Sequence, residues 1–175
     1  MATTTSLMTF AQFEQMPDDG RRYELRNGEP IEVPPAIHDH FLIQRQLRRL
    51  LEPLTALAGI VDTEWGYRAH PEYEYRRADV AFVSRARFDA VPRQGYLMGA
   101  PELVAEVLSP SNRRGKIAET RRLCLENGCR EFWVSDPKRR SVEVSTPDGL
   151  SKTYQTGQQI PLLFGGELAV TAIFE

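Results

Sequence analysis

Two apolar segments of the sequence each hold one carboxylic acid. Asp79 directly precedes the run VAFV, and Glu106 stands inside the run LVAEVL. A charged side chain in a buried strand is destabilising unless it is paired or binds a cation. Because two carboxylates on neighbouring strands repel each other, a divalent ion between them would explain both, and such oxygen ligands suit Mg²⁺ or Mn²⁺. A metal held in this way can activate a water molecule for attack on a phosphate.

A third acid, Glu24, precedes both and could complete the ligand set. Each acid also has a structural explanation that involves no metal. Asp79 could pair with Arg76 or Arg77, which stand just before it in the sequence. Glu106 could form a buried ion pair with an arginine, and Glu24 could be an exposed acid in a hairpin. The spacing of Asp79 and Glu106 suggests a metal site but leaves these alternatives open.

The segments before Asp79 predict a hairpin, a long helix and two strands. The pair Asn27-Gly28 favours a two-residue type I′ turn between two short strands. Apolar residues then recur at helical spacing from His38 to about Leu57. Two strands follow, and the stretch HPEYEYRR between them is expected to be a polar loop.

The segments after Asp79 predict a strand, a helix and a further strand. LVAEVLS is apolar on both faces except at Glu106, which is typical of a central strand. Ser111 or Asn112 is expected to cap a helix that Gly128 terminates, and the strand EFWVSD follows. Residues 85 to 100 show no regular pattern and are expected to be irregular.

This order of elements predicts an α/β fold with a mixed central sheet flanked by helices. One right-handed strand-helix-strand crossover is expected around residues 103 to 135. The chain of 175 residues suits a single domain, residues 1–175, that can bury a core. Its 41 % hydrophobic and 26 % charged residues exclude a disordered chain. The net charge of -2 excludes an overall basic coat but allows a local basic patch.

The sequence also favours a cytoplasmic location. Cys124 and Cys129 have no histidine at metal-ligand spacing nearby, so we interpret them as reduced thiols. The segment MATTTSLMTF lacks the basic region and apolar run of a signal peptide. No apolar stretch approaches the ~20 residues that a membrane helix needs, so no membrane association is expected.

Over nearly the whole chain, the sequence resembles the PD-(D/E)XK nuclease superfamily. The more specific resemblance is to its Uma-type (Uma-two) branch of restriction-endonuclease domains. The segments that carry it are MTFAQFEQMPDDGRRYELRNGE, RRADVAFVS, GAPELVAEVLSPSNRR and GCREFWVSDPKRRSVEVS. The resemblance implies a restriction-endonuclease-like fold and metal-dependent hydrolysis of phosphodiester bonds. It also implies, by analogy of fold alone, a homodimer.

The resemblance assigns a role to each acid. Glu24 matches the acid ahead of the core, Asp79 matches the motif aspartate, and Glu106 matches the acid of the (D/E)XK element. The backbone carbonyl of Val107 is then an expected further metal ligand. The lysine of the superfamily motif would fall at position 108, where this chain has Leu108.

In the Uma-type branch that lysine is placed in the following helix, within a series of aspartate, lysine and tyrosine at four-residue steps. This chain has Lys116, Thr120 and Cys124 at those positions. Lys116 is one turn from Thr120 and shares its helix face. We therefore expect Lys116 to replace the missing lysine and orient the attacking water. The alternative is that Lys116 is a solvated residue and the nuclease is weakened or inactive.

The helix after Glu106 is also basic, and we expect its arginines to contact DNA phosphates rather than to read bases. These candidate nucleic-acid-binding residues are Arg113, Arg114, Arg121 and Arg122. The favoured function is that of a metal-dependent endonuclease that hydrolyses DNA phosphodiester bonds. The alternative is a catalytically weakened or inactive nucleic-acid-binding module of the same fold. A third interpretation, in which the acids are purely structural, predicts that no metal binds.

Overall fold

A seven-stranded mixed sheet forms the centre of the structure, a computed structural model that describes residues 7–109 and 114–175. The elements are, in chain order, α1 (Phe10–Glu14), β1 (Tyr23–Arg26), β2 (Glu29–Glu32), α2 (His38–Thr55), β3 (Gly59–Arg68), β4 (Arg76–Ser84), α3 (Arg85–Asp89), β5 (Leu97–Met98), β6 (Leu103–Val107), α4 (Arg114–Glu126), β7 (Glu131–Asp136), β8 (Ser141–Ser145), β9 (Ser151–Gln155), β10 (Gln159–Pro161), β11 (Glu167–Ala169) and α5 (Val170–Ile173). Among the described residues, no helix is long and apolar enough to cross a membrane.

The order of strands in the large sheet is β5-β3-β4-β6-β7-β8-β9. Strand β6 lies at its centre, antiparallel to β4 and parallel to β7. Because α4 connects the two parallel strands, the predicted strand-helix-strand unit around residues 103 to 135 is present. The predicted mixed α/β fold with a central sheet is confirmed.

Strand β6 is buried on both faces of the sheet. Leu103, Ala105 and Val107 belong to the core that also contains Leu47 and Leu51 of α2. The alternate residue Val104 belongs to a second core that also contains Ile117 and Cys124 of α4. This division follows from the two-residue alternation of side chains in a strand. Glu106 is the one position of β6 that is not fully buried.

The predicted hairpin is present as β1 and β2, with Arg26 paired to Glu29. Asn27 and Gly28 both have positive φ angles, 47° and 75°, as a type I′ turn requires. Leu25 and Tyr75 exchange two backbone hydrogen bonds of 2.9 Å, which attach the hairpin just ahead of β4. The hairpin therefore has a fixed position relative to Asp79.

The prediction that residues 85 to 100 are irregular is wrong. They include helix α3 and strand β5, which pairs in parallel with β3. Strand β5 has only two residues, too few for a periodic pattern. It is defined by its tertiary pairing, in which Leu97 lies opposite the buried Tyr67.

Candidate functional site

All three predicted acids line one cavity of about 120 Å³. Glu24 comes from the hairpin, Asp79 from β4 and Glu106 from β6. His40 of α2 and Glu64 of β3 line the same cavity. The structure therefore brings together acids that are more than 80 positions apart at their extremes, from 24 to 106.

The register of the sheet explains why the acids meet. Val80 of β4 pairs with Ala105 of β6, so Asp79 and Glu106 are the next residues of the two strands where this pairing ends. On the other side of β4, Glu64 lies between the pairs Thr63–Val80 and Trp65–Ala78, at the level of Asp79, with a positive φ of 54°. The sheet thus presents three acids in a row across three adjacent strands.

Asp79 is held by contacts from two sides. Its Oδ1 accepts a hydrogen bond of 2.9 Å from the Gln44 side-chain amide and lies 3.0 Å from Nε2 of His40. Its Oδ2 accepts a hydrogen bond of 2.7 Å from the backbone amide of Val107. Since His40 and Gln44 are one turn apart, helix α2 presents both side chains to Asp79. These contacts replace the pairing with Arg76 or Arg77 that the sequence left open.

Glu24 is buried, with 5 % of its surface exposed, so it is not an exposed hairpin acid. Its Oε1 accepts a hydrogen bond of 3.0 Å from the backbone amide of Arg77. Its Oε2 accepts two hydrogen bonds from the Arg26 guanidinium, at 2.7 and 2.9 Å. Glu24 is therefore ion-paired and also fixed to β4, next to Asp79.

The site perturbs the ionisation of two side chains. Burial raises the pKa of the Glu106 carboxyl well above 4.5, and the charges of Asp79 and Glu24 raise it further, against the opposing effect of Arg26. Burial lowers the pKa of His40, but its hydrogen bond to Asp79 and the charges of Asp79 and Glu64 outweigh this effect and raise the pKa above 6.5. Both side chains therefore hold a proton more tightly than they would in water.

The residues present fit a hydrated divalent cation. Within the described ranges, no three His, Cys, Asp or Glu side chains form a complete metal-ligand set. Mg²⁺, however, is usually held by one or two carboxylates and keeps several of its water ligands. Asp79 and Glu106 provide two such carboxylates, and a cation between them would relieve the repulsion that raises the pKa of Glu106. With the Val107 backbone beside them, these two residues could hold Mg²⁺ or Mn²⁺.

Lys116 does not line this cavity. It is exposed in the first turn of α4. Thr120, one turn later, is buried, accepts a hydrogen bond of 3.0 Å from Arg76 and donates one to the Lys116 carbonyl. The catalytic role of Lys116 stays a prediction, while the cations that line the cavity are Arg22, Arg26 and Arg77.

The predicted phosphate-binding arginines are not gathered at the cavity. Arg113 and the side chain of Arg114 lie outside the described parts of the chain, as do the predicted caps Ser111 and Asn112. Arg121 pairs with Glu143 on β8, and Arg122 is exposed on α4. Neither Arg121 nor Arg122 lines the cavity, and their contact with DNA stays a prediction.

Three residues of the site were not singled out from the sequence as functional. Glu64 lies in β3, and the sequence does not reveal how β3 aligns with β4. Gln44 follows His40 by one helical turn, and that spacing was an available signal. Its amide bonds to both Glu64, at 2.8 Å, and Asp79. Arg26 stands two positions after Glu24, and no sequence pattern marks it as part of the site.

Comparison with known proteins gives a family match and a structural match. A family model described as "Uma2: Putative restriction endonuclease" matches residues 10–174. The crystal structure of a protein described as "a putative nuclease", from Anabaena variabilis, superimposes with a TM-score of 0.82 at 19 % sequence identity. The match covers 95 % of this chain and 97 % of that one, and at this identity it shows a shared fold. No curated protein matches the chain.

The raised pKa of Glu106 predicts how stability depends on pH when no metal is present. The folded protein holds the Glu106 proton more tightly than the unfolded chain, so its stability should fall as pH rises from about 4.5 through the higher folded-state pKa. Glu106→Gln removes this titration. In chelator at pH 8 the variant should be more stable than the wild type by about 1 kcal/mol or more, and the difference should disappear near pH 4.

Urea unfolding across this pH range measures the effect. Glu167→Gln is the control, because Glu167 is an exposed acid of β11 outside the cavity, and this variant should show no such pH-dependent gain. A Glu106→Gln variant that is less stable than the wild type at pH 8 would contradict the proposed origin of the shift.

Proposed function

This chain belongs to the Uma2 family, and we propose that it hydrolyses phosphodiester bonds in DNA with the help of a divalent cation. The observation that carries this proposal is the pair of carboxylates, Asp79 and Glu106, which come from adjacent strands and line one cavity. The description of the family as restriction endonucleases and that of the structural neighbour as a nuclease support the same class of activity. Homodimer formation and a cytoplasmic location stay predictions.

Asp79 and Glu106 would hold the cation, with the Val107 carbonyl as a further ligand. A divalent cation bound there would lower the pKa of a coordinated water and neutralise charge on the scissile phosphate. Glu106 must lose its proton for this, so binding should compete with its protonation. Glu24 supports the site from the hairpin, where it pairs with Arg26.

His40 and Gln44 act as positioning residues for Asp79. Both contact the same carboxylate oxygen, Oδ1, while the Val107 amide binds the other oxygen. This arrangement fixes the carboxylate plane before any substrate arrives, which lowers the cost of organising the site. The Gln44 side-chain amide also donates a hydrogen bond to Glu64, so it links Glu64 to Asp79.

Arg26 is the residue best placed to supply the positive charge that the missing motif lysine would provide. Its Nε and Nη2 bind Glu24, whereas its Nη1 is buried and has no hydrogen-bond partner among the described residues. The positive charge of Arg26 lowers the pKa of Glu106, against burial and the neighbouring acids that raise it, so Arg26 acts on this carboxylate. A phosphate oxygen in the cavity would satisfy the free N–H group with a charge-assisted hydrogen bond.

A binding module without catalytic activity is the second candidate. Leu108 and Thr120 occupy the two positions where the resemblance places a lysine. Thr120 is buried and bonded to Arg76, which itself pairs with the buried Glu74 and with Glu119. That polar network attaches α4 to β4 and leaves Thr120 no direct role at the cavity.

The two candidates differ in the effect of Asp79→Asn, which keeps the size of the side chain but removes its charge. With Mg²⁺ or Mn²⁺, the wild type should nick supercoiled plasmid DNA, and the variant should be slower by about 100-fold or more. Asp62→Asn is the control, because Asp62 is an exposed acid on β3 outside the cavity. Nicking that survives chelator, or that Asp79→Asn leaves intact, would contradict the proposal. Wild-type DNA binding without any nicking would favour the binding module.

A second comparison separates Arg26 from Lys116 as the source of positive charge. Arg26→Gln keeps a hydrogen-bond donor for Glu24 but removes the charge, and we expect cleavage to fall about 10- to 100-fold. Lys116→Gln should change cleavage less than about twofold, because the side chain is exposed outside the cavity. Thermal melting of both variants controls for folding. If Lys116→Gln reduced cleavage more than Arg26→Gln, Lys116 and not Arg26 would be the source of the positive charge.

A further inference from the structure

A second groove, lined by aromatic side chains, adjoins the acidic cavity. It has a volume of about 310 Å³, at the lower end of the roughly 300–1,000 Å³ of small-molecule pockets. Arg22, Tyr23 and Arg77 line both spaces, so the groove and the cavity lie side by side and share these residues as a common border. The site therefore extends beyond the acids, toward α1.

The aromatic rings are held in place by one another. The Tyr75 ring lies 5.0 Å from the Tyr96 ring at 72° and 5.6 Å from the Phe13 ring. Tyr75 is buried, Phe13 is half-buried, and Tyr96 exposes 36 % of its surface. The cluster thus forms a rigid apolar corner that remains open to solvent at Tyr96.

The charges between the two spaces suit a phosphate backbone. The Arg77 guanidinium lies 5.9 Å from the Tyr75 ring, and Arg22 pairs with Glu64 at 3.1 Å. Three arginines line the groove, with Arg21 as the third, against the acids Glu14 and Asp18. A polyanionic strand that runs from the acids to the aromatic rings would therefore pass guanidinium groups.

We propose that this groove binds an unpaired nucleobase next to the scissile phosphate. The proposal rests on the nuclease function and names its substrate class, single-stranded or locally unpaired nucleic acid. A base stacks on an aromatic ring irrespective of its identity, because every base has a flat π face. In a duplex both faces of a base are covered by its neighbours, so paired bases cannot use the groove. We favour a base over a free apolar ligand because Arg22 and Arg77 lie between the groove and the acids, where they could bind the phosphate attached to that base.

The test is a binding measurement that does not depend on cleavage. Fluorescence anisotropy in chelator would compare a labelled oligothymidine with a duplex of the same length. The wild type should bind the single strand more tightly. Tyr96→Leu, which keeps apolar bulk against Phe10 and Tyr75 but removes the flat face, should weaken single-strand binding about tenfold. Duplex binding should not change.

Two further variants make the result specific. Tyr96→Phe retains the ring and should bind like the wild type. Phe88→Leu is the matched control, because Phe88 exposes a similar 38 % of its surface but packs on Trp65 outside the groove. Equal affinity for both forms of DNA, or wild-type single-strand binding by Tyr96→Leu, would overturn the subsite. Either result would overturn the base-binding proposal even if the protein nicks DNA normally with metal. Loss of nicking without a change in single-strand binding would contradict only the nuclease proposal.

Discussion

The carboxylates of Asp79 and Glu106, on adjacent strands at the centre of the sheet, set the constraint on which the site depends. Apolar cores cover both faces of β6, so water cannot solvate Glu106 fully, and the neighbouring acids raise its pKa. Two buried like charges are costly in a fold, and natural proteins retain such a cost chiefly where function requires it. A divalent cation or a proton can relieve this cost. The competition between them is the physical basis of the proposed activity.

The contacts around Asp79 hold its carboxylate in one orientation. Asp79 receives hydrogen bonds from a helix and from β6, and its bonds involve an amide, an imidazole and a backbone N–H. Arginines remain at the edge of the cavity, where Arg26 binds Glu24. Arg76, the arginine closest in sequence to Asp79 after Arg77, is instead buried in a network with Glu74, Glu119 and Thr120. The protein thus separates structural ion pairs from the carboxylates available for a metal.

The sequence was sufficient for the features that local pattern determines. An acid inside an apolar run identified Glu106, and Asn27-Gly28 identified the hairpin turn, because both signals are local. The stretch HPEYEYRR has the composition of a polar loop, yet Glu74 within it is buried at 2 % exposure. Its burial depends on Arg76 and on Glu119 of α4, partners that only the tertiary fold brings together. Glu64 and Gln44 were missed for the same reason, since strand register and helix docking place them beside Asp79.

Calorimetric titration of Mg²⁺ tests the central claim most directly, run near neutral pH in two buffers with different ionisation enthalpies. If the cation replaces the proton on Glu106, the wild type should bind Mg²⁺ with a proton release that appears as a buffer-dependent heat. Glu106→Gln should then bind much more weakly and without that release. No binding by the wild type, or equal binding by both proteins, would show that the paired carboxylates are not a metal site.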